Sequence, residues 1–180
     1  QLLSAKPAAI TVHARTRKEM SDVPAQWEHV TRAVEIATGT GTRILGNGDV
    51  VDMADAQAKV AETGCDGVMF GRAIFGNPWL FDGARSGGTA TDKKEITVNG
   101  KLDVALHHTE LYTEYYGNTK SFELLKKHYR AYINNFPLAK ELRADMMLAK
   151  SYDEVKSIVE VFKKNHGEVL SEISEMKYLL

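Results

Sequence analysis

The sequence predicts an α/β protein in which a parallel β-sheet is followed by a small helical bundle. Three short apolar runs are predicted to form strands, and they lie at residues 8–12, 43–46 and 67–70. They alternate with stretches whose apolar residues recur at helical spacing, and strands that alternate with helices through short loops are typical of parallel sheets. Because the runs are apolar throughout, we expect both faces of the sheet to be covered.

The domain boundary is predicted from a change in composition. Residues 83–100 carry four glycines, and every stretch after them shows helical periodicity. We therefore predict a sheet domain over residues 1–85, a linker over 86–100 and a helical domain over 101–180.

Local signals place several helices. Asp52 is the predicted N-cap of a helix between the second and third strands, and Gly64 is its predicted C′ residue, just after the helix ends. In the second half, an apolar stripe predicts one continuous helix over residues 122–133. A further helix is expected to begin at the capping-box pattern of Ser151 and Glu154.

Composition narrows the class of protein. The 180 residues carry a net charge of −1, so any affinity for nucleic acid must come from a local patch rather than from the whole molecule. A single cysteine excludes an internal disulfide framework and fits a reducing, cytoplasmic setting. The sequence has neither a signal-peptide pattern nor an apolar run long enough to span a bilayer.

Polar and glycine residues follow each predicted strand. The residues concerned are His13 and Arg15, then Asn47, Gly48 and Asp49, then Gly71 and Arg72. The carboxyl ends of parallel strands share one rim, where backbone N–H groups beside glycine and an arginine fork can hold a phosphate. Either glycine motif alone would fit a tight turn as well as it fits a phosphate site. Together, on neighbouring strands, the two motifs favour a phosphate-bearing cofactor.

Positive charge is concentrated in the helical part. Residues 117–143 carry a net charge of +4, from six cations against Glu123 and Glu141. The cations are Lys120, Lys126, Lys127, Arg130, Lys140 and Arg143. This segment could contact nucleic-acid phosphates, or it could be an ordinary solvated helix face. Tyr112, Tyr115 and Tyr116 could stack on bases, but we expect them in the bundle core.

These motifs resemble those of the tRNA-dihydrouridine synthase family. The segments Ile10 to Arg17, Leu45 to Val50 and Asp66 to Ala73, with Asn77 to Phe81, are similar to strands six to eight of that family's (β/α)8 TIM barrel. The segments Tyr115 to Gly117, Lys126 to Tyr129 and Phe136 to Arg143 resemble its helical tRNA-binding domain. The resemblance covers nearly the whole chain and implies the C-terminal portion of the barrel followed by that domain.

The resemblance also implies a chemistry, the reduction of a tRNA uridine by FMN with NADPH as reductant. His13, Arg15, Asn47, Gly48, Asp49, Gly71 and Arg72 would hold FMN, and the six cations would bind tRNA. The family's general-acid cysteine lies in the other half of the barrel, so Cys65 is expected to be a buried filler. The fragment alone is expected to be incomplete and inactive. The full enzyme is expected to be monomeric, without metal or membrane attachment.

Two other functions remain open from the sequence. An FMN-dependent TIM-barrel oxidoreductase acting on a small molecule, as dihydroorotate dehydrogenases do, would share the rim motifs without needing the basic segment. A non-catalytic RNA-binding module would need the basic segment without the rim motifs.

Overall fold

The computed structural model describes residues 1–20, 22–81 and 96–175. They group into two compact units. One unit contains residues 1–74 with 79–81, and the other contains residues 75–78 with the helices from residue 96 onward. The domain limits derived from the sequence remain a prediction, because most of the expected linker lies outside the described residues.

The first unit is built on a three-stranded parallel sheet of order β1-β2-β3. The strands are β1 (Ala9–His13), β2 (Arg43–Asn47) and β3 (Gly67–Met69). Helix α1 (Glu28–Ala37) connects the first two strands and α2 (Met53–Thr63) connects the last two. Short 3-10 turns occupy Leu2–Ala5, Arg72–Ile74 and Pro78–Phe81. The sheet and its parallel order were predicted from the alternation of strands and helices.

The predicted signals at the ends of α2 are confirmed. The Asp52 carboxylate accepts a hydrogen bond from the backbone N–H of Asp55 at 2.8 Å, which satisfies a donor that the helix leaves open. Gly64 ends the helix in the left-handed conformation, with φ of 71°, which glycine adopts without steric cost.

The helices cover one face of the sheet, and the expectation that both faces are covered was wrong. Ile10 and Val12 of β1 pack with Trp27 and Val30 in the core beneath the helices. The alternate β1 residues Ala9, Thr11 and His13 are exposed. Successive β1 side chains face opposite sides of the sheet. The sequence did not reveal which side is covered, because the exposed Ala9 and Thr11 are small residues that would also fit a packed face.

The second unit consists of five helices among the described residues. They are α3 (Val98–Tyr116), α4 (Glu123–Lys126), α5 (Tyr129–Tyr132), α6 (Ala139–Leu148) and α7 (Tyr152–Glu175). Leu102, Leu125, Ile133, Met146 and Val155 are among the fully buried side chains of their shared core. Over the described ranges, no helix is long and apolar enough to cross a membrane.

Two local predictions for this unit need correction. Residues 122–133 form two short helices rather than one, because the backbone N–H of His128 bonds the Leu125 carbonyl three residues back and interrupts the α-helical pattern. Residues 98–100, expected in the linker, form the first turn of α3, which is capped by the Thr97 hydroxyl. The predicted cap at Ser151 is present, because the backbone N–H of Glu154 donates to the Ser151 hydroxyl at 3.3 Å.

Candidate functional site at the carboxyl ends of the strands

The strand register brings the predicted rim residues together. His13 pairs with Asn47, and Asn47 pairs with Met69, so the three strands end side by side. Cys65 lies before β3, at the opposite end of the sheet, where it is buried and its thiol donates to the Gly67 carbonyl. The predicted arrangement of the rim is therefore confirmed, and Cys65 is placed away from it.

A hydrogen-bonded chain of side chains crosses the three strand ends. The Asn47 amide nitrogen donates to the Met69 carbonyl at 2.8 Å. The Asn47 amide oxygen lies 2.5 Å from His13 Nδ1. Asn47, at the end of the central strand, thus connects both of its neighbours through groups that only its short amide provides.

Asp49 is the electrostatic centre of the rim. One carboxylate oxygen accepts from the Arg15 guanidinium and from the backbone N–H of Ala25, the latter at 3.0 Å. The other oxygen accepts from Arg72 at 2.8 Å. The Arg15 hydrogen bond holds the pKa of Asp49 below its usual value, and the Ala25 bond acts in the same direction against the opposing effect of burial.

The two rim arginines have different environments. The Arg15 side chain is only 4% exposed, and its Nε donates to the Val23 carbonyl at 2.6 Å, so its fork is occupied by protein acceptors. The Arg72 side chain is 69% exposed and is bonded to Asp49 through one nitrogen. Among the described residues, Arg72 thus has a partner at only one of its guanidinium nitrogens, whereas the Arg15 side chain is buried against Val23 and Asp49.

The two rim glycines also differ. A Cβ on Gly48 would lie 2.9 Å from the Ala25 side chain, and its φ of 139° is unfavourable for other residues, so local packing alone accounts for this glycine. A Cβ on Gly71 would meet nothing within 4 Å. Packing therefore leaves Gly71 unexplained, as expected if its open side serves a ligand.

A cavity of about 700 Å³ lies over the rim. All seven predicted residues line it, namely His13, Arg15, Asn47, Gly48, Asp49, Gly71 and Arg72. Its apolar lining of Met20, Val50, Val51 and Ala73 was not predicted. A volume of this size is within the range of sites for small molecules and cofactors.

In the helical unit, the structure separates the six predicted cations into two groups. Lys120, Lys127, Arg130 and Lys140 are exposed. Lys126 and Arg143 are not free. The Lys126 side chain is 4% exposed and donates to Glu123 at 2.6 Å and to the Met147 carbonyl at 2.8 Å. Arg143, half-buried, donates to the Ile133 carbonyl.

The tyrosines of α3 differ from the expectation that they lie in the core. Tyr112 is half-buried against the core, but Tyr115 is 69% exposed and Tyr116 is 45% exposed. The Lys120 ammonium lies 4.4 Å from the centre of the Tyr116 ring. A cation and an aromatic face are thus presented together on the surface of this unit.

Comparison with known proteins identifies relatives over most of the chain. The family model described as dihydrouridine synthase (Dus) matches residues 5–167. A probable tRNA-dihydrouridine synthase of Mycobacterium tuberculosis strain H37Rv is 32% identical over 154 residues, which are 85% of this chain and 39% of that protein. The probable tRNA-dihydrouridine synthase 2 of Bacillus subtilis strain 168 is 31% identical over 88% of this chain and 47% of its own length. The chain spans less than half the length of these curated relatives.

Proposed function

The chain belongs to the dihydrouridine synthase family, and we propose that it forms the cofactor-phosphate end and the tRNA-binding end of a tRNA-dihydrouridine synthase. Its three strands would correspond to strands six to eight of a (β/α)8 barrel. The observation that carries the proposal is the rim, where Arg72 and the open side of Gly71 face one cavity with His13 and Asn47.

The donor set of the rim fits a phosphate-bearing flavin. Arg72 offers unoccupied guanidinium donors at an exposed position, and Gly71 leaves space where a Cβ would otherwise stand. The cavity is large enough for the rest of a mononucleotide and has an apolar side at Val50 and Val51. Bound here, FMN would supply the hydride that reduces a uridine ring, with NADPH as its reductant.

Asp49 would serve this site indirectly, because a carboxylate repels a phosphate. Its two oxygens are occupied by donors from Arg15, Ala25 and Arg72. Its role would be to orient Arg72, and only its backbone would be free to approach the phosphate itself. This differs from the sequence-based expectation that Asp49 contacts the cofactor.

The proton donor of the reaction would not be Cys65. Its thiol is buried at the end of the sheet opposite to the rim and is hydrogen-bonded to the Gly67 carbonyl. Cys65 is the single cysteine of the sequence, so a general-acid cysteine would have to come from outside these 180 residues. We expect no uridine reduction by this chain alone.

The flavin site is tested by titrating the 180-residue chain with FMN and following flavin fluorescence. Arg72→Ala should raise the Kd for FMN about tenfold or more, since a hydrogen bond to a charged group contributes roughly 1.5–3 kcal/mol. The matched control is Arg32→Ala, which removes an equally exposed arginine paired with Glu35 on α1. An equal Kd for both variants would remove Arg72 from the site.

The tRNA surface is tested by charge reversal. Lys127→Glu with Arg130→Glu should weaken tRNA binding, and each lost phosphate contact should flatten the plot of log K against log salt by about 0.7–0.9. Lys156→Glu with Lys164→Glu makes the same change of charge at exposed positions of α7 and should have a smaller effect.

The two titrations together separate the proposal from its alternatives. A small-molecule FMN oxidoreductase would bind flavin but show no salt-dependent affinity for tRNA. An RNA-binding module would show the salt dependence without binding flavin at the rim. If both double mutants lost tRNA affinity equally, residues 117–143 would not form a specific surface.

A further inference from the structure

The starting observation is that Asn47 can have only one amide orientation. Its amide nitrogen lies 2.8 Å from the Met69 carbonyl oxygen and its amide oxygen lies 2.5 Å from His13 Nδ1. Turning the amide over would place two acceptor oxygens, those of Asn47 and Met69, against each other without a proton between them. The neighbouring strand therefore determines which end of the amide faces His13.

The orientation of Asn47 determines where His13 carries its proton. An amide oxygen only accepts hydrogen bonds, so Nδ1 of His13 must be the donor. Neutral His13 is then the Nδ1–H tautomer, and its Nε2 carries a lone pair. Free histidine side chains in water favour the opposite form, and the hydrogen bond at one ring nitrogen sets the state of the other.

From this geometry we infer that Asn47 is a positioning residue that fixes the tautomer of His13 and makes its Nε2 a hydrogen-bond acceptor for a ligand ring N–H. His13 is exposed and lines the rim cavity. Within the described ranges, the His13 ring makes one hydrogen bond, the one between its Nδ1 and Asn47. Nε2 is thus left for a ligand.

The ligand chemistry, unlike the tautomer itself, rests on the proposed function. An acceptor nitrogen selects a planar ring that presents an N–H, and the shared candidate is a cyclic imide whose N–H stands between two carbonyls. Both the flavin ring and the uracil base contain this group. A ring in which that nitrogen carries a methyl group would lose the contact.

The tautomer can be observed directly in the full 180-residue chain. Long-range ¹H–¹⁵N correlation of its histidine rings, at about pH 8 where histidine is ordinarily neutral, distinguishes a protonated from an unprotonated ring nitrogen. The signals of His13 are identified by their loss in His13→Gln. We expect Nδ1 to be the protonated nitrogen, and a His13 protonated mainly at Nε2 would overturn the inference without any variant being made.

Two substitutions test whether Asn47 controls the His13 tautomer as the acceptor of its ring N–H, or only connects strands β2 and β3 through its bond to Met69. Asn47→Ala removes both hydrogen bonds, so His13 should change to the Nε2–H form. Asn47→Asp keeps an acceptor for His13 but loses the donor to Met69, so it should retain the Nδ1–H form. If Asn47→Asp changed the tautomer as Asn47→Ala does, the inference would fail, because the strand tie rather than the acceptor would control it. If Asn47→Ala does not fold, the wild-type and Asn47→Asp spectra still decide.

Titration identifies the source of the ring N–H. FMN and uridine monophosphate are added separately, and the ligand that His13 accepts from should shift the Nε2 resonance. The N3-methyl analogue of that ligand should not reproduce this shift. A shift that persists with the methylated analogue would overturn the acceptor role. Absence of any binding by FMN or tRNA would count against the proposed function, whereas the tautomer measurement stands independently of ligand.

Discussion

The two units use similar polar contacts for different purposes. In the helical unit, Lys126 and Arg143 donate to the backbone carbonyls of Met147 and Ile133, beside a core of fully buried side chains. In the sheet unit, Arg15 donates to a backbone carbonyl in the same way, but its second contact is Asp49 at an open cavity. In the helical unit these contacts connect cations to the backbone beside the core, whereas in the sheet unit Arg15 connects the backbone to a carboxylate that lines the cavity.

The two units also differ in how many fully buried side chains their cores contain. Most of the largest fully buried side chains of the described residues belong to the helical unit, and Val30 is the sheet unit's member of that set. One face of β1 is exposed instead of packed. The helical unit therefore depends on its interior, whereas the sheet unit leaves surface available at and beside its rim.

The largest expected effect tests this difference with one substitution in each core. Ile133 is fully buried, so Ile133→Ala should lower the free energy of unfolding of the helical unit by about 2–5 kcal/mol. Ile10 is half-buried on β1, so Ile10→Ala should cost the sheet unit only about 1 kcal/mol, because part of its side chain already faces water.

Denaturant unfolding can follow the two units separately. Both tryptophans, Trp27 and Trp79, belong to the sheet unit, so their fluorescence reports that unit. Far-UV circular dichroism mainly reports the helices. Equal losses of stability for the two isoleucine variants would contradict the difference between the cores.

An intermediate effect is expected from two glycines that share a backbone conformation. Gly76 and Gly41 have φ of 71° and 79°. A Cβ on Gly76 would lie 2.2 Å from the Ala131 carbonyl oxygen, whereas a Cβ on Gly41 would meet nothing within 4 Å. Gly41→Ala should cost about 1–2 kcal/mol from backbone strain alone. Gly76→Ala should cost a further 1–3 kcal/mol or so from the clash, which thermal unfolding would measure.

Gly41→Ala serves as the control for strain. If the two glycine variants were equally stable, the segment at residues 75–78 would move aside without cost. The contact between Gly76 and Ala131 within the helical unit would then contribute little to the fold.

Local signals allowed much of this structure to be predicted from the sequence. Asp52 and Gly64 delimit α2 because capping depends on residues a few positions apart. The rim was predictable because parallel strands place their carboxyl ends together. For the same reason the sequence placed Cys65 at the other end of the sheet.

Contacts between distant residues were beyond such reasoning. Lys126 was counted among the tRNA-binding cations, but its carbonyl partner on Met147 lies 21 positions away and is determined by packing. The family resemblance predicted Asp49 among the residues that hold FMN, and nothing local in the sequence indicates that Arg15 and Arg72 occupy its side-chain oxygens. Charge is visible in a sequence, but the pairing of that charge is not.

The smallest expected effect concerns a pair of histidines in the helical unit. The rings of His108 and His128 lie 5.0 Å apart, with Phe75 against His128 and the Tyr132 hydroxyl 3.0 Å from His108 Nδ1. Burial lowers the pKa of His108, and the charge of His128 lowers it further. Burial likewise lowers the pKa of His128, with an added effect from Lys127.

These shifts fix the sign of a pH dependence. Between the ordinary histidine pKa of about 6.5 and the lower values of the folded state, the unfolded chain binds more protons than the folded one. The helical unit should therefore lose stability as pH falls from about 6.5 through that window, and should change little above it as far as these groups are concerned. His108→Gln should flatten the dependence measured by circular dichroism, whereas His107→Gln, at an exposed position on the same helix, should leave it in place. If both variants kept the full slope, the acid sensitivity would come from other groups, and the histidine pair would be no more than packing.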